Sequence, residues 1–491
     1  MIKNTLTILS FLVLAVAFNS CEDPDDAFNP QNPDLAVNAV VGTDNSTLSI
    51  LEGANRQLSI AMNELVVISE IASDNYTNTQ TFYNQFLDNL AIDATDDDID
   101  DTQFAIHRLR EIAITGRDVI APDDETSSAD QIAELNFFIG QAHLMFGENF
   151  TSVPAEPGGV VLDAATHLNT AISNFEVALG GTTDSDVITA CNLGIARAHY
   201  RLGNRAEAVS FSNAAIASNA DSIFVRFARY DAINGPGNTM QDAIFDRGTF
   251  DDLQPLPRLD FLDPKYNGSS ATTDVDIPLL KIEEAHLILI EAAISSGDLG
   301  AAQQSMRDLI DIVAKRPLAT FDDSAEGREQ DFPGSRPDTA TVLIAASSSD
   351  DLRAGLVLDR NNQGANPNIT VPITVPTVSG TSVTVDIVDS ISDAETALEI
   401  LYLMRQEIFI AEGRRMADLG IRFVTSDVEF RTNSNVAMAD ITPVIPDFIS
   451  SISTELDEFI YDPNAGTAVI MHNLNRIIVQ NRASELSLIH I

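Results

Sequence analysis

Tryptophan is absent from the 491 residues, and cysteine and lysine nearly so. Without the largest aromatic, any ring-stacking surface falls chiefly to seven tyrosines. The four lysines are Lys3, Lys265, Lys281 and Lys315, against twenty-four arginines. Positive charge is scarce altogether: 28 basic side chains face 73 acidic ones, for a formal net charge of −45. A phosphate backbone needs a cationic face, so this balance excludes nucleic acid as a partner. An anionic bilayer surface would repel the chain as well. Excess acid with little lysine suits a saline habitat, where solvated carboxylates keep a protein soluble and salt screens their repulsion.

Catalytic signatures are missing too. There is no His-Glu-x-x-His, no Gly-x-Ser-x-Gly, no Gly-x-x-x-x-Gly-Lys and no Gly-x-Gly-x-x-Gly. The seven histidines are scattered, none at metal-ligand spacing with another. His199 and His286 fall in apolar helical patterns and read as packed or capping residues. Acidic pairs are everywhere in so acidic a chain and nominate no glycosidase site. Asp93, Asp96, Asp97, Asp98, Asp100 and Asp101 lack the glycine and the terminal glutamate of a calcium loop, and read as a solvated loop with a helix cap. Nothing here points to an enzyme, a metal or a cofactor.

What is present begins at the N-terminus. Lys3 is followed by an apolar run from Leu6 to Phe18, then Asn19-Ser20-Cys21. The run is too short to span a bilayer and reads as the core of a secretory signal. A cysteine directly after it is the lipoprotein form of such a signal, with cleavage before Cys21 and lipid on its thiol. Residues 1–20 are then the signal peptide. Glu22, Asp23, Asp25 and Asp26 resemble the acidic tag that sends some lipoproteins to the outer face of the outer membrane. Lipid must do the anchoring, since the surface charge cannot. With Cys21 acylated, Cys191 has no disulfide partner and reads as a small buried hydrophobe.

Residues 21–47, rich in Asp, Asn and Pro, form a flexible acidic tether. The body runs from 48 to 491, and with 44% apolar residues in the chain it can bury a substantial core. Leu51, Leu58, Met62, Leu65 and Ile68 recur at helical steps. Another helix carries Phe104, Ile106, Leu109 and Ile112. Further helices are expected at 129–147, 161–179, 186–202 and 204–219, with a second group at 277–318. The C-terminal part, 392–491, has helices at 392–419 and 447–460. Gly203-Asn204-Arg205-Ala206-Glu207-Ala208 and Gly297-Asp298-Leu299-Gly300-Ala301-Ala302 share one design. Gly allows a left-handed helix end, Asn or Asp caps the next helix, and Ala lets the pair approach. Ile195, Ala196, Ala215 and Leu289 fit tetratricopeptide spacing around these glycines. Long irregular stretches span 230–275 and 320–390. Within the second, Thr370–Pro376 and Val383–Val388 would make a small β-hairpin. The fold class is mainly α.

For ligand contact the sequence offers Ser73-Asp74-Asn75-Tyr76-Thr77-Asn78, with Phe82 and Tyr83 close behind, and Tyr266 in a long loop. Amide, carboxylate, hydroxyl and aromatic groups suit a polar, partly flat ligand. The same segment also reads as a polar loop between helices. Glu412, Arg415, Asp418 and Arg422 are spaced as an ion ladder on one helix face.

Two stretches carry a family resemblance. Asp276 to Ala292, continuing through Gly297-Asp298-Leu299, resembles an apolar lead-in and an acid-bearing helix ending Glu-Ala, then Gly-Asp and a second helix. Glu412-Gly413-Arg414-Arg415-Met416-Ala417-Asp418-Leu419 is similar to Glu-Gly-x-Arg-x-x-Asp-Leu. Both patterns, in this order, resemble the SusD/RagB nutrient-binding lipoproteins. Ile408 stands where the family often has an acid, and Glu407 is one place off. The absent tryptophan departs from members that stack sugars on Trp and Tyr. The resemblance implies a SusD-like fold of helix-turn-helix pairs. It implies capture of a nutrient, a glycan or peptide, for a SusC-like TonB-dependent β-barrel transporter, with the binding protein as a hinged lid. A helical-repeat scaffold organising envelope proteins, with no small-molecule ligand, is the alternative.

Overall fold

The apolar stripe at Leu51, Leu58, Met62, Leu65 and Ile68 becomes the inner face of α1 (Ser46–Ile71), and all five side chains are buried. Asn45 sits in the left-handed region and gives the helix no side-chain cap. The cap comes from elsewhere: Asp124 Oδ2 accepts from the Thr47 backbone N–H at 2.8 Å. The computed structural model describes residues 41–79, 84–219, 223–245, 251–266, 272–323, 334–360 and 372–483. The signal peptide, Cys21 and most of the tether lie outside the described residues, as do Phe82 and Tyr83.

The Asp-rich loop ends in a helix cap, as expected: Asp96 accepts from the Asp98 N–H at 3.0 Å and opens α2 (Asp97–Thr115). Ile106 and Leu109 are buried on its inner face, but Phe104 points outward, 55% exposed. A full capping box, Ser128 with Gln131, starts α3 (Ala129–Asn149). Then follow α4 (Ala164–Gly181), α5 (Ser185–Arg201), α6 (Arg205–Ser218), α7 (Glu283–Ser295) and α8 (Leu299–Val313). Consecutive helices pack as antiparallel neighbours, and α6 packs on α7 to join the two groups. Gly203 and Gly297 have φ of 73° and 79°, so both turns use the left-handed conformation their glycines allow. Ala208 and Ala302 are fully buried where the paired helices meet. Asp298 caps α8 through the Ala301 N–H, whereas Asn204 gives no cap and bonds to His199 instead. Cys191 is buried and free.

Three expectations are corrected. The stretch 370–388 does not fold on itself. β9 (Pro372–Pro376) pairs with β7 (Leu318–Asp322), and Val385–Asp389 is a helical turn. The helix expected at 392–419 breaks into α9 (Ala394–Ile408) and α10 (Arg415–Asp418), because Ala411 and Gly413 take positive φ. Residues 447–460 give only a short turn, Asp447–Ser450, followed by β10 (Phe459–Asp462). β10 pairs with β11 (Thr467–Ile470), which runs parallel to β8 (Leu343–Ala345), and α11 (Leu474–Gln480) closes on α9. Four two-stranded ribbons complete the small sheets. They are β7–β9, β1 (Tyr76–Asn78) with β5 (Leu253–Pro255), β2 (Ser152–Pro154) with β3 (Val161–Asp163), and β4 (Val225–Ala228) with β6 (Ile277–Lys281).

Charge is used inside as well as outside. Arg197 reaches Glu284 at 2.7 Å, Arg201 reaches Glu148 at 2.8 Å, Arg405 reaches Asp418 at 2.6 Å, and Arg414 reaches Glu284 at 2.6 Å. All are buried and tie α3, α5, α7, α9 and α10 together. A buried pair holds register more than it adds net stability, because desolvation offsets most of the attraction.

Candidate functional site

The two segments singled out in the sequence meet each other. The Arg415 guanidinium donates to Asp74 at 2.5 and 2.9 Å. Gln406 donates to Asp74 at 3.0 Å and to Asn75 at 3.1 Å. Asn75 donates to Glu70 at 2.7 Å, and the Gly413 N–H donates to the other Glu70 oxygen at 2.7 Å. A Cβ on Gly413 would lie 2.8 Å from Ser69 Oγ and 3.3 Å from the Val66 Cα, so glycine is required for this approach as well as for its φ of 66°. Burial pushes the Glu70 carboxyl up to about 7, against the pull of these hydrogen bonds.

Glu412 does not belong to a helical ladder. It accepts from Lys281 at 2.5 Å and from Lys265 on the same oxygen. Burial drives Lys281 down to about 7, and the neighbouring Lys265 opposes the attraction of Glu412. Asp418 binds Arg405 and, at 3.0 Å, Arg201. Glu412, Arg415 and Asp418 therefore each pair with another element, because the left-handed breaks at 411 and 413 rotate the chain.

Asp74, Asn75, Tyr76 and Tyr266 are 2% exposed or less. Tyr266 donates its hydroxyl to the Ala411 carbonyl at 2.7 Å. In this arrangement Asp74, Asn75 and Tyr266 fasten α1 and the 264–266 loop to the C-terminal segment, Tyr76 pairs with Pro255 in β5, and none of the four presents a surface to a ligand. Their polar mixture reflects an internal hydrogen-bonded joint, which looks the same as a binding loop in sequence.

The same segment turns outward two residues later. Asn78 donates to Asp251 Oδ1 at 2.9 Å, and the Thr79 hydroxyl donates to Asp252 at 2.7 Å. Asn84 bridges Asp98 at 2.6 Å and Asp251 at 2.8 Å. Asp88 accepts from the Asn78 N–H, and Phe86 in the same turn is 65% exposed. Burial first, then the negative charge of Asp457, pushes Asp88 up to about 8. Burial brings Asp98 and Asp457 to about 6. This patch combines amides, a hydroxyl, carboxyls held toward their neutral form and an outward aromatic ring. Such groups can exchange hydrogen bonds with a polyhydroxylated ligand while a ring covers its C–H face. Sequence reasoning reached Asn78 but not Asn84, Phe86, Asp88, Asp251, Asp252 or Asp457. The aspartates at 251 and 252 arrive through the β1–β5 pairing, which no local pattern announces.

A groove of about 490 Å³ lies between α6 and α7, lined by Arg205, Val209, Leu289, Ala292 and Ser296 among others. Among the described residues, no three His, Cys, Asp or Glu side chains converge as metal ligands do, and no helix is long and apolar enough to cross a membrane.

A SusD superfamily protein from Bacteroides fragilis matches in structure with a TM-score of 0.50 at 12% identity, over 81% of this chain and 99% of that one. This chain has the SusD-like fold. A SusD-like carbohydrate-binding protein from Bacteroides vulgatus gives a TM-score of 0.49 at 11% identity, over 77% of this chain and 83% of that one. No family model and no curated protein matches the sequence. In this fold the joint between Asp74-Asn75 and residues 406–415 ties the first helix to the last third.

Proposed function

We propose that the chain is a surface-exposed nutrient-binding lipoprotein, anchored through Cys21, that captures an oligosaccharide or similar polymer fragment and passes it to a SusC-like TonB-dependent outer-membrane transporter. The single observation that carries this reading is the SusD-like fold, matched over nearly the whole length of the Bacteroides fragilis protein. The lipoprotein-type start at Cys21 supports the anchor, and the SusD-like protein from Bacteroides vulgatus is described as carbohydrate-binding. Binding alone is required: hydrogen bonds from Asn78, Thr79 and the carboxyl of Asp88, with Phe86 beside them, would hold hydroxylated rings without any covalent step. The test is a glycan and peptide binding screen on the chain, together with affinity capture of a β-barrel from the outer membrane. Binding of no glycan or peptide and capture of no barrel would overturn the proposal.

The groove between α6 and α7 favours a second reading, a helical-repeat scaffold for envelope proteins without a small-molecule ligand. Its lining is largely aliphatic, as expected of a protein-facing surface. Capture of envelope proteins that persists when Phe86 and Thr79 are replaced, with no glycan or peptide bound, would favour that reading.

A further inference from the structure

Three histidines from three helices meet in the interior: His107 on α2, His143 on α3 and His167 on α4, each no more than 3% exposed. His167 Nε2 lies 2.9 Å from the Val153 carbonyl, and a carbonyl can only accept, so Nε2 carries the proton. A neutral His167 then has a bare Nδ1. His143 Nδ1, 3.0 Å away, must be the donor to it. That leaves His143 Nε2 bare, and it accepts from Arg110 Nε at 3.2 Å. The line Arg110, His143, His167, Val153 therefore admits one proton arrangement, with both rings neutral. His107 follows the same rule: Nδ1 donates to the Ala155 carbonyl at 3.2 Å, and its Nε2 is buried without a partner.

An additional proton has no acceptor within this line. On His143 it would point Nε2–H at the Arg110 N–H, and on His167 it would point Nδ1–H at the His143 N–H. Either event replaces a hydrogen bond with two opposed donors and adds positive charge beside a guanidinium. The other charged groups facing the rings are few. Glu111 is already paired with Arg110, and Asp163, the N-cap of α4, contributes a weak attraction to His167. Phe146 packs an apolar ring against His107 and His167, with ring centroids 4.9 and 5.2 Å apart.

We propose that the Arg110–His143–His167 line is an acid-released latch, which joins α2, α3 and α4 to the β2–β3 hairpin in neutral medium and lets that joint open as the medium acidifies. The hairpin is the moving part because Val153 and Ala155 are the backbone groups the histidines hold. Burial keeps His143 near 3 and His107 near 4 in the closed state. A ring with an ordinary value of about 6.5 once opened favours opening by about 30-fold at pH 5 relative to pH 8. The sign is that of a depressed imidazole: the joint is fully stable above the open-state value and loses stability progressively as pH falls toward the closed-state one.

The test is amide hydrogen exchange of the full chain at pH 7.5 and pH 5, corrected for intrinsic rates. Segments spanning 143–168 should lose protection at least tenfold, while α7 and α8 change less than twofold. Replacing His143→Gln should reduce this dependence, leaving the part that His107 and His167 contribute. Should that variant not fold, imidazole nitrogen shifts of the native chain decide: Nδ1–H on His143 and Nε2–H on His167 are required. Unchanged protection at pH 5, equal loss across the whole body, or the opposite tautomers would overturn the proposal.

Discussion

Arg415 holds both carboxylate oxygens of Asp74 from across 341 positions of chain, at 2.5 and 2.9 Å in the buried interior. A planar guanidinium fork matches the two carboxylate oxygens in this two-pronged contact, a geometry that a lysine ammonium does not present. Removing either partner strands a buried charge. Asp74→Ala or Arg415→Ala should lower unfolding free energy by about 3–5 kcal/mol, and Arg415→Met with Asp74→Leu by much less. Denaturant titration of the three variants measures this. A loss in the double variant equal to the sum of the two single losses would mean the pair is not coupled.

Tyr76 and Tyr266 should behave as core residues. Tyr76→Ala should cost about 3–5 kcal/mol through the cavity it leaves. Tyr266→Phe keeps the ring and loses only the bond to the Ala411 carbonyl, costing about 1 kcal/mol. Thermal melts separate the two. A Tyr76→Ala protein as stable as the parent would return that ring to the surface.

Phe86 makes the opposite case for ligand capture. Phe86→Ala removes an exposed ring and should leave stability within about 0.5 kcal/mol. If the patch is the binding surface, glycan affinity should drop about tenfold, as expected for losing about 1.4 kcal/mol. Isothermal titration with a bound oligosaccharide reads both enthalpy and affinity.

Asp88 should confer a pH dependence of known sign. Its folded value near 8 is above the ordinary value, so its contribution is fully present below pH 4 and is lost as pH rises toward 8. Asp457, also raised, titrates with it. Asp88→Asn should therefore stabilise the protein at pH 8.5 by at least about 1 kcal/mol relative to its effect at pH 4.5. Melting temperatures across that range provide the measurement, and a parallel shift at both ends would count against the assignment.

Much of the helical frame was legible because its signals are local. The Gly203 and Gly297 turns, the alanines at 208 and 302, and the stripe from Leu51 to Ile68 act within a few residues of where they stand. The lone Cys191 was read correctly for the same reason. The misreadings share one cause. Residues 412–422 are spaced like one helix face, but Ala411 is non-glycine at positive φ, and no propensity rule anticipates that. Pro372–Pro376 has strand character, but its partner is Leu318–Asp322, more than fifty residues earlier. Asp74, Asn75 and Tyr76 carried the chemistry of a binding loop because an internal joint between distant segments needs the same amides and carboxylates. Asp251 and Asp252 could not be tied to Asn78 and Thr79 before the β1–β5 pairing was known.

Lys265 and Lys281 both close on the single carboxylate of Glu412, and this leaves the body with an unusual handle. Among the described residues, Lys315, exposed just after α8, is the one lysine amine that an aqueous fluorophore ester can reach on the folded chain. A dye placed there without any engineering would report on the bundle from one known address.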